Sequence, residues 1–74
     1  MDYKTLRLET KEGDRVRYVP GHAHGDRHHS DCEDGTISSF GPDNVRVRFY
    51  KQVAKLGWEG TTAQACTPED LVVL

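Results

Sequence analysis

The stretch "GHAHGDRHHSDCEDG", from Gly21 to Gly35, holds four histidines, three aspartates, a glutamate and a cysteine. Imidazole, carboxylate and thiolate are the side chains that ligate metals, attack carbonyls and titrate near neutrality, so three chemistries are open to this stretch. A tetrahedral zinc site takes about four N or S ligands, commonly as two closely spaced pairs. "HHSDC" supplies one pair, His28 or His29 with Cys32, and the remaining cysteine, Cys66, stands alone further along. If a zinc is bound, His28, His29, Cys32 and Cys66 are its first candidates, with His22 or His24 folding back beside them. The spacing lacks the second pair, so the expectation is a structured polar loop with no metal and no cofactor. Nucleophilic catalysis by Cys32 beside a histidine needs an oxyanion-binding donor array and a substrate cleft as well as a thiolate. A domain this small offers little room for one, and the chain is expected not to be an enzyme. Four acids and one arginine between His22 and Gly35 make the loop strongly acidic with neutral histidines and slightly basic with all four protonated. Such a swing acts as a switch only where a two-state element reads the charge.

A second set of residues points to binding. In "VRVRFY", Arg46 and Arg48 share an outward face with Tyr50, Lys51 and Lys55 follow without an intervening acid, and Arg15 and Arg17 form another outward pair. Together with Trp58, the residues Arg15, Arg17, Arg46, Arg48, Tyr50 and Lys51 form the candidate surface for a partner or a nucleic acid. The plainer reading is a solvated face whose charges pair with Asp and Glu across strands. Trp58 reads as a cover for one end of the core. A methyl-ligand cage needs several rings around one point, and only Tyr3, Tyr18, Tyr50 and Trp58 are left to build it once Phe40 and Phe49 are assigned to the core.

The elements that must position these groups are short strands. Arg15 to Val19 alternates, with Val16 and Tyr18 inward and Arg15, Arg17 and Val19 outward. Thr36 to Phe40 and "VRVRFY" form a hairpin around "GPDN", where Pro42 presets a turn and Asn44 tolerates a left-handed backbone. Lys51 to Gly60 reads as a loop, Thr61 to Cys66 as extended, "TPED" as a helical turn with Thr67 as cap and Pro68 at its first position, and Leu71 to Leu74 as the last strand. Leu6 and Leu8 alternate with charged residues, which reads as an edge strand or a mobile terminus. Val16, Tyr18, Ile37, Val45, Val47, Phe49 and Leu71 make the expected core.

A chain of 74 residues is one domain, burying only about 60% of its unfolded surface. Thirty per cent charged and 35% hydrophobic residues describe a folding, globular composition. The longest apolar run, Leu71 to Leu74, is far shorter than a membrane span. With no leader segment the cytoplasm is expected, with Cys32 and Cys66 reduced. A net charge of −2 argues against a surface wholly shaped for nucleic acid.

The run "GDRVRYV", "DGTISSF", "VRVRF", "CTPEDLVVL" resembles an SH3-like barrel of the Tudor or KOW kind, in which a helical turn separates the last two strands. The fold implied is all-β, a small partly open barrel of about five strands spanning residues 13–74, preceded by an N-terminal segment, residues 1–12. The strings "VRYVPGHAHGD", "DCEDG", "SS", "VRF" and "PEDL" are similar to those of small uncharacterised proteins of bacteriophages and prophages, which implies a bacterial host cytoplasm and brings no activity. The function expected is that of a monomeric, non-enzymatic binding module. A protein-interaction adaptor leads, because the net charge is negative and loops on such barrels present side chains to a protein or peptide. Nucleic-acid binding through the arginine strands is the alternative, and a zinc-stabilised domain the third.

Overall fold

The computed structural model describes residues 2–74, leaving Met1 outside. Five strands, β1 (Arg15–Tyr18), β2 (Glu33–Phe40), β3 (Val45–Phe49), β4 (Gln64–Cys66) and β5 (Leu71–Val73), make one antiparallel sheet. Its order is β4-β3-β2-β1-β5. Consecutive strands are neighbours from β1 to β4, and the chain then returns through a 3₁₀ turn, Pro68–Asp70, to set β5 against the far side of β1. Two helices, α1 (Tyr3–Glu9) and α2 (Tyr50–Leu56), complete the fold. No helix among the described residues is long and apolar enough to cross a membrane.

Alternation places the inner face. Val16, Ile37, Val45, Val47, Phe49 and Leu71 are buried together with Cys66, and Tyr18 and Phe40 pack half-buried against them. Each fully buried aliphatic side chain contributes about 1.5–3 kcal/mol through removal from water, so a core this thin depends on every one. β2 carries a bulge between Ile37 and Ser39. The extra residue lets Ile37 and Phe40, an odd number apart, both turn inward. Gly35 sits opposite Val16 on one side and Phe49 on the other. A Cβ there would lie 2.5 Å from the Arg48 carbonyl oxygen and 2.6 Å from Val47 Cγ1, so only glycine lets the neighbouring strand approach this closely.

Three expectations are corrected. The N-terminal segment is a helix, not an edge strand. Asp2 accepts the Thr5 N–H at 2.8 Å as an N-cap, and helical spacing puts Tyr3 and Leu6 on one side. Leu6 is fully buried while Leu8 is 79% exposed, and the Tyr3 hydroxyl donates to the Gly41 carbonyl. Lys51 to Gly60, expected as a loop, is helical as far as Leu56 within α2, which ends at Gly57, where a φ of 77° favours glycine. Val19, expected outward, is buried beside Pro20 and Ala23. β1 stops at Tyr18, and the Val19 N–H turns to the Asp70 carbonyl at 2.8 Å. Asn44 does not take up the left-handed backbone it tolerates: His24 is the described non-glycine residue with positive φ.

Candidate functional site

Cross-strand register builds the outer face. Arg15 stands opposite Thr36, and Thr36 opposite Arg48, so these three form one row across β1, β2 and β3. Helix α2 lies beside this row. The Thr36 hydroxyl donates to the Tyr50 hydroxyl oxygen at 2.9 Å, and the Arg15 guanidinium sits 5.9 Å from the centre of the Tyr50 ring. Tyr50 reaches the arginine face from the first turn of a helix and not from the end of β3, because the chain turns after Phe49.

The other end of the row is closed by residues 57–61. Thr61, buried, donates its hydroxyl to the Gly57 carbonyl at 2.7 Å, and the Thr61 carbonyl accepts from Arg48 Nε at 3.2 Å. That turn sets the Trp58 ring 4.8 Å from the Arg48 guanidinium, within cation–π range. Trp58 is 47% exposed and not the core cover it reads as in the sequence. Leu56, at the end of α2, is exposed in the same segment.

The expected cationic set divides. Arg17 is neutralised: its Nε donates to Asp34 Oδ1 at 2.6 Å and its Nη2 to Asp34 Oδ2 at 3.1 Å. These bonds hold the Asp34 carboxyl below the ordinary 3.8 and raise the Arg17 guanidinium. Arg15, Arg46, Arg48 and Lys51 have no carboxylate within 4.0 Å among the described residues; Arg46 donates only to the Ser39 hydroxyl, at 3.3 Å. No aromatic cage forms among the described residues, since Tyr3 packs on the core from α1 and Tyr18 meets Phe49 edge-on, 6.2 Å away.

The histidine loop runs from Pro20 to Cys32 as successive turns. Ala23 N–H bonds to Pro20, His24 to Gly21, Asp26 to Ala23, His29 to Asp26 and Cys32 to His29, each through the carbonyl. Left-handed backbone at His24 (φ 51°) and Gly25 (φ 81°) folds the segment back. His22 thereby reaches Asp31, nine residues on, with Nε2 2.7 Å from Oδ2, which lowers the Asp31 carboxyl. The His29 ring lies edge-on to His22 with centroids 5.3 Å apart and accepts the Asp31 N–H on Nδ1 at 3.0 Å.

The four expected zinc ligands do not converge. Cys66 is buried in the core, its thiol pushed up to about 11 chiefly by burial. The Cys32 thiol donates to the Asp26 carbonyl at 3.3 Å, and His28 lies exposed outside the cluster that holds His29. The ligand-bearing groups that do meet are His22, His29 and Asp31. Their sequence signal, two histidines and an aspartate spanning a glycine-hinged turn, is legible only once the turn is known.

A cleft of about 460 Å³ joins the loop to the outer face. Arg17, Arg27 and Lys51 line it with Glu33, Asp34, Tyr50, His28, His29, Ser30 and Cys32. Arg17 Nη1 also donates to the Arg27 carbonyl at 3.2 Å, tying loop to strand. Comparison with protein-family models, curated proteins and solved structures finds nothing that matches the chain.

Proposed function

We propose that this chain is a non-enzymatic binding module of SH3-like architecture whose outer face takes single-stranded nucleic acid. The architectural part rests on the meander β1 to β4 with a 3₁₀ turn leading to β5 beside β1, the arrangement the sequence resemblance calls for. The observation that carries the partner is the set of cations free of carboxylates. Arg15, Arg46, Arg48 and Lys51 share the outer face and its rim, and Trp58 and Tyr50 stand against two of them. Cations that track a backbone and exposed rings on which bases stack are the two components of sequence-tolerant single-strand binding. The overall charge of −2 does not oppose this, because local potential and not the total steers a polyanion to a surface.

The test is titration of labelled single-stranded DNA and RNA over a range of salt. Four phosphate contacts predict a slope of roughly −3 in log K against log salt, from about −0.7 per contact. Arg46→Glu with Arg48→Glu abolishes binding while keeping the fold, and Trp58→Ala weakens it by about 1–3 kcal/mol. Absence of binding at physiological salt, or binding indifferent to these variants, refutes the reading. The adaptor reading has its own support in the exposure of Trp58 and of Leu56 two residues before it, since an exposed tryptophan is the kind of side chain that anchors protein partners. A partner retained from nuclease-treated lysate and lost on Leu56→Asp favours it.

A further inference from the structure

We propose that His22, His29 and Asp31 form a binding site for one divalent first-row transition cation, with zinc as the reference ion. The three residues each offer one ligand atom, and these atoms all lie within 4.8 Å of one another. Two imidazoles and one carboxylate are a ligand set suited to zinc and its neighbours, leaving further positions for water.

The loop brings the ligands together before any ion arrives. His22 lies in a 3₁₀ turn, Gly21–Ala23, and the left-handed pair His24 and Gly25 reverses the chain after it. The bonds from His29 N–H to Asp26 and from Cys32 N–H to His29 then carry the return limb. The resulting His22 Nε2 to Asp31 Oδ2 separation is 2.7 Å. Ligands about 2.0–2.1 Å from a shared tetrahedral ion lie about 3.3 Å apart, so this pair opens by roughly half an ångström to admit one. His29 closes on the ion by moving an accessible side chain, since His22 and Asp31 are exposed and His29 half-buried. The ion replaces the proton shared by His22 and Asp31 and frees His29 Nδ1 from the Asp31 N–H. The single carboxylate offsets one of the ion's two charges, and the remaining coordination positions are left to water. The thiols are excluded by position: Cys32 is held to the Asp26 carbonyl and Cys66 lies in the core.

The experiment is calorimetric titration of the full chain, free of any histidine tag, with Zn²⁺ and with Co²⁺. One ion per chain is expected. His22→Gln, His29→Gln and Asp31→Asn should each weaken binding by at least about tenfold, the lower end of what even outer-shell partners cost. His24→Gln and His28→Gln should leave it unchanged. No stoichiometric binding, retention of affinity in Asp31→Asn, or an equal loss in His24→Gln or His28→Gln overturns the site. A second readout needs no variant. The Co²⁺ complex should show ligand-field bands without the near-ultraviolet sulfur-to-metal charge-transfer band, and an intense band of that kind would assign Cys32 as a ligand and overturn the set. Neither readout involves nucleic acid, so the outcome is independent of the partner proposed above.

Discussion

The outer face of the sheet and the histidine loop are both polar and both rich in charge, yet their side chains are placed by different forces. On the sheet, Arg15, Thr36 and Arg48 align because backbone ladders fix which residue faces which, and each ladder is anchored by a buried inner face. In the loop, Pro20 and Ala23 are the buried residues. His22, His29 and Asp31 meet through turns, a left-handed residue and side-chain hydrogen bonds. A face built on register should therefore fail together with the core, whereas a loop built on local bonds should change with little effect on the fold.

The harshest way to break the comparison is Val47→Asp. Val47 is fully buried between β2 and β4, and an unpaired charge there is expected to cost more than about 4 kcal/mol and unfold the domain. Near wild-type melting would refute the register. Leu6→Ala should cost about 2–5 kcal/mol by opening a cavity under α1, while Leu8→Ala, on the exposed side of the same helix, should stay within about 0.5 kcal/mol. Equal denaturation midpoints for the two variants would show that α1 does not dock.

Gly35→Ala tests close strand approach at a single atom. The added methyl meets the Arg48 carbonyl and Val47, and a loss of about 1–3 kcal/mol is expected from overpacking, read by chemical denaturation. Asp34→Asn probes the strand residue bonded to Arg17, which also holds the loop. The folded-state carboxyl lies below 3.8, so its contribution is present above that value and vanishes as pH falls through the lowered one. Wild type should exceed the variant by about 1 kcal/mol or less at neutral pH, because the pair is partly solvated. The gap should close in acid, and a gap constant with pH would refute the ion pair's role. The smallest effect belongs to His22→Gln in metal-free buffer. An exposed pair contributes little because solvent screens it, so the melting temperature should barely move; a large loss would show that the loop supports the core.

The strands were readable because alternation is a local property. Val45, Val47 and Phe49 have to share a face in any extended chain, and the inward sides of β1 and β3 follow from that alone. The helices were less readable for a physical reason. α1 and α2 have seven residues each, too few for periodicity to stand out, and segments so short owe their helicity to what they pack on. The cap at Asp2 was the one local signal for α1, whereas the alternating Leu6 and Leu8 fit a strand equally well. For α2 no capping side chain marks the start, and none of its residues is buried.

By itself the sequence determined the residue types, the places of the turns at "GPDN" and "TPED", the inner face of the central strands and the outward direction of Arg15, Arg46 and Arg48. Tertiary structure alone decided which charges are free and which ligands meet. Arg17 lost its independence to Asp34 across a strand pair, Trp58 came to Arg48 through a turn anchored by buried Thr61, and His29 joined His22 and Asp31 instead of His28, Cys32 and Cys66. Side-chain direction along a strand repeats every two residues and is legible one residue at a time. Contact between residues far apart in the chain depends on the sum of many backbone angles, and no local pattern encodes that sum.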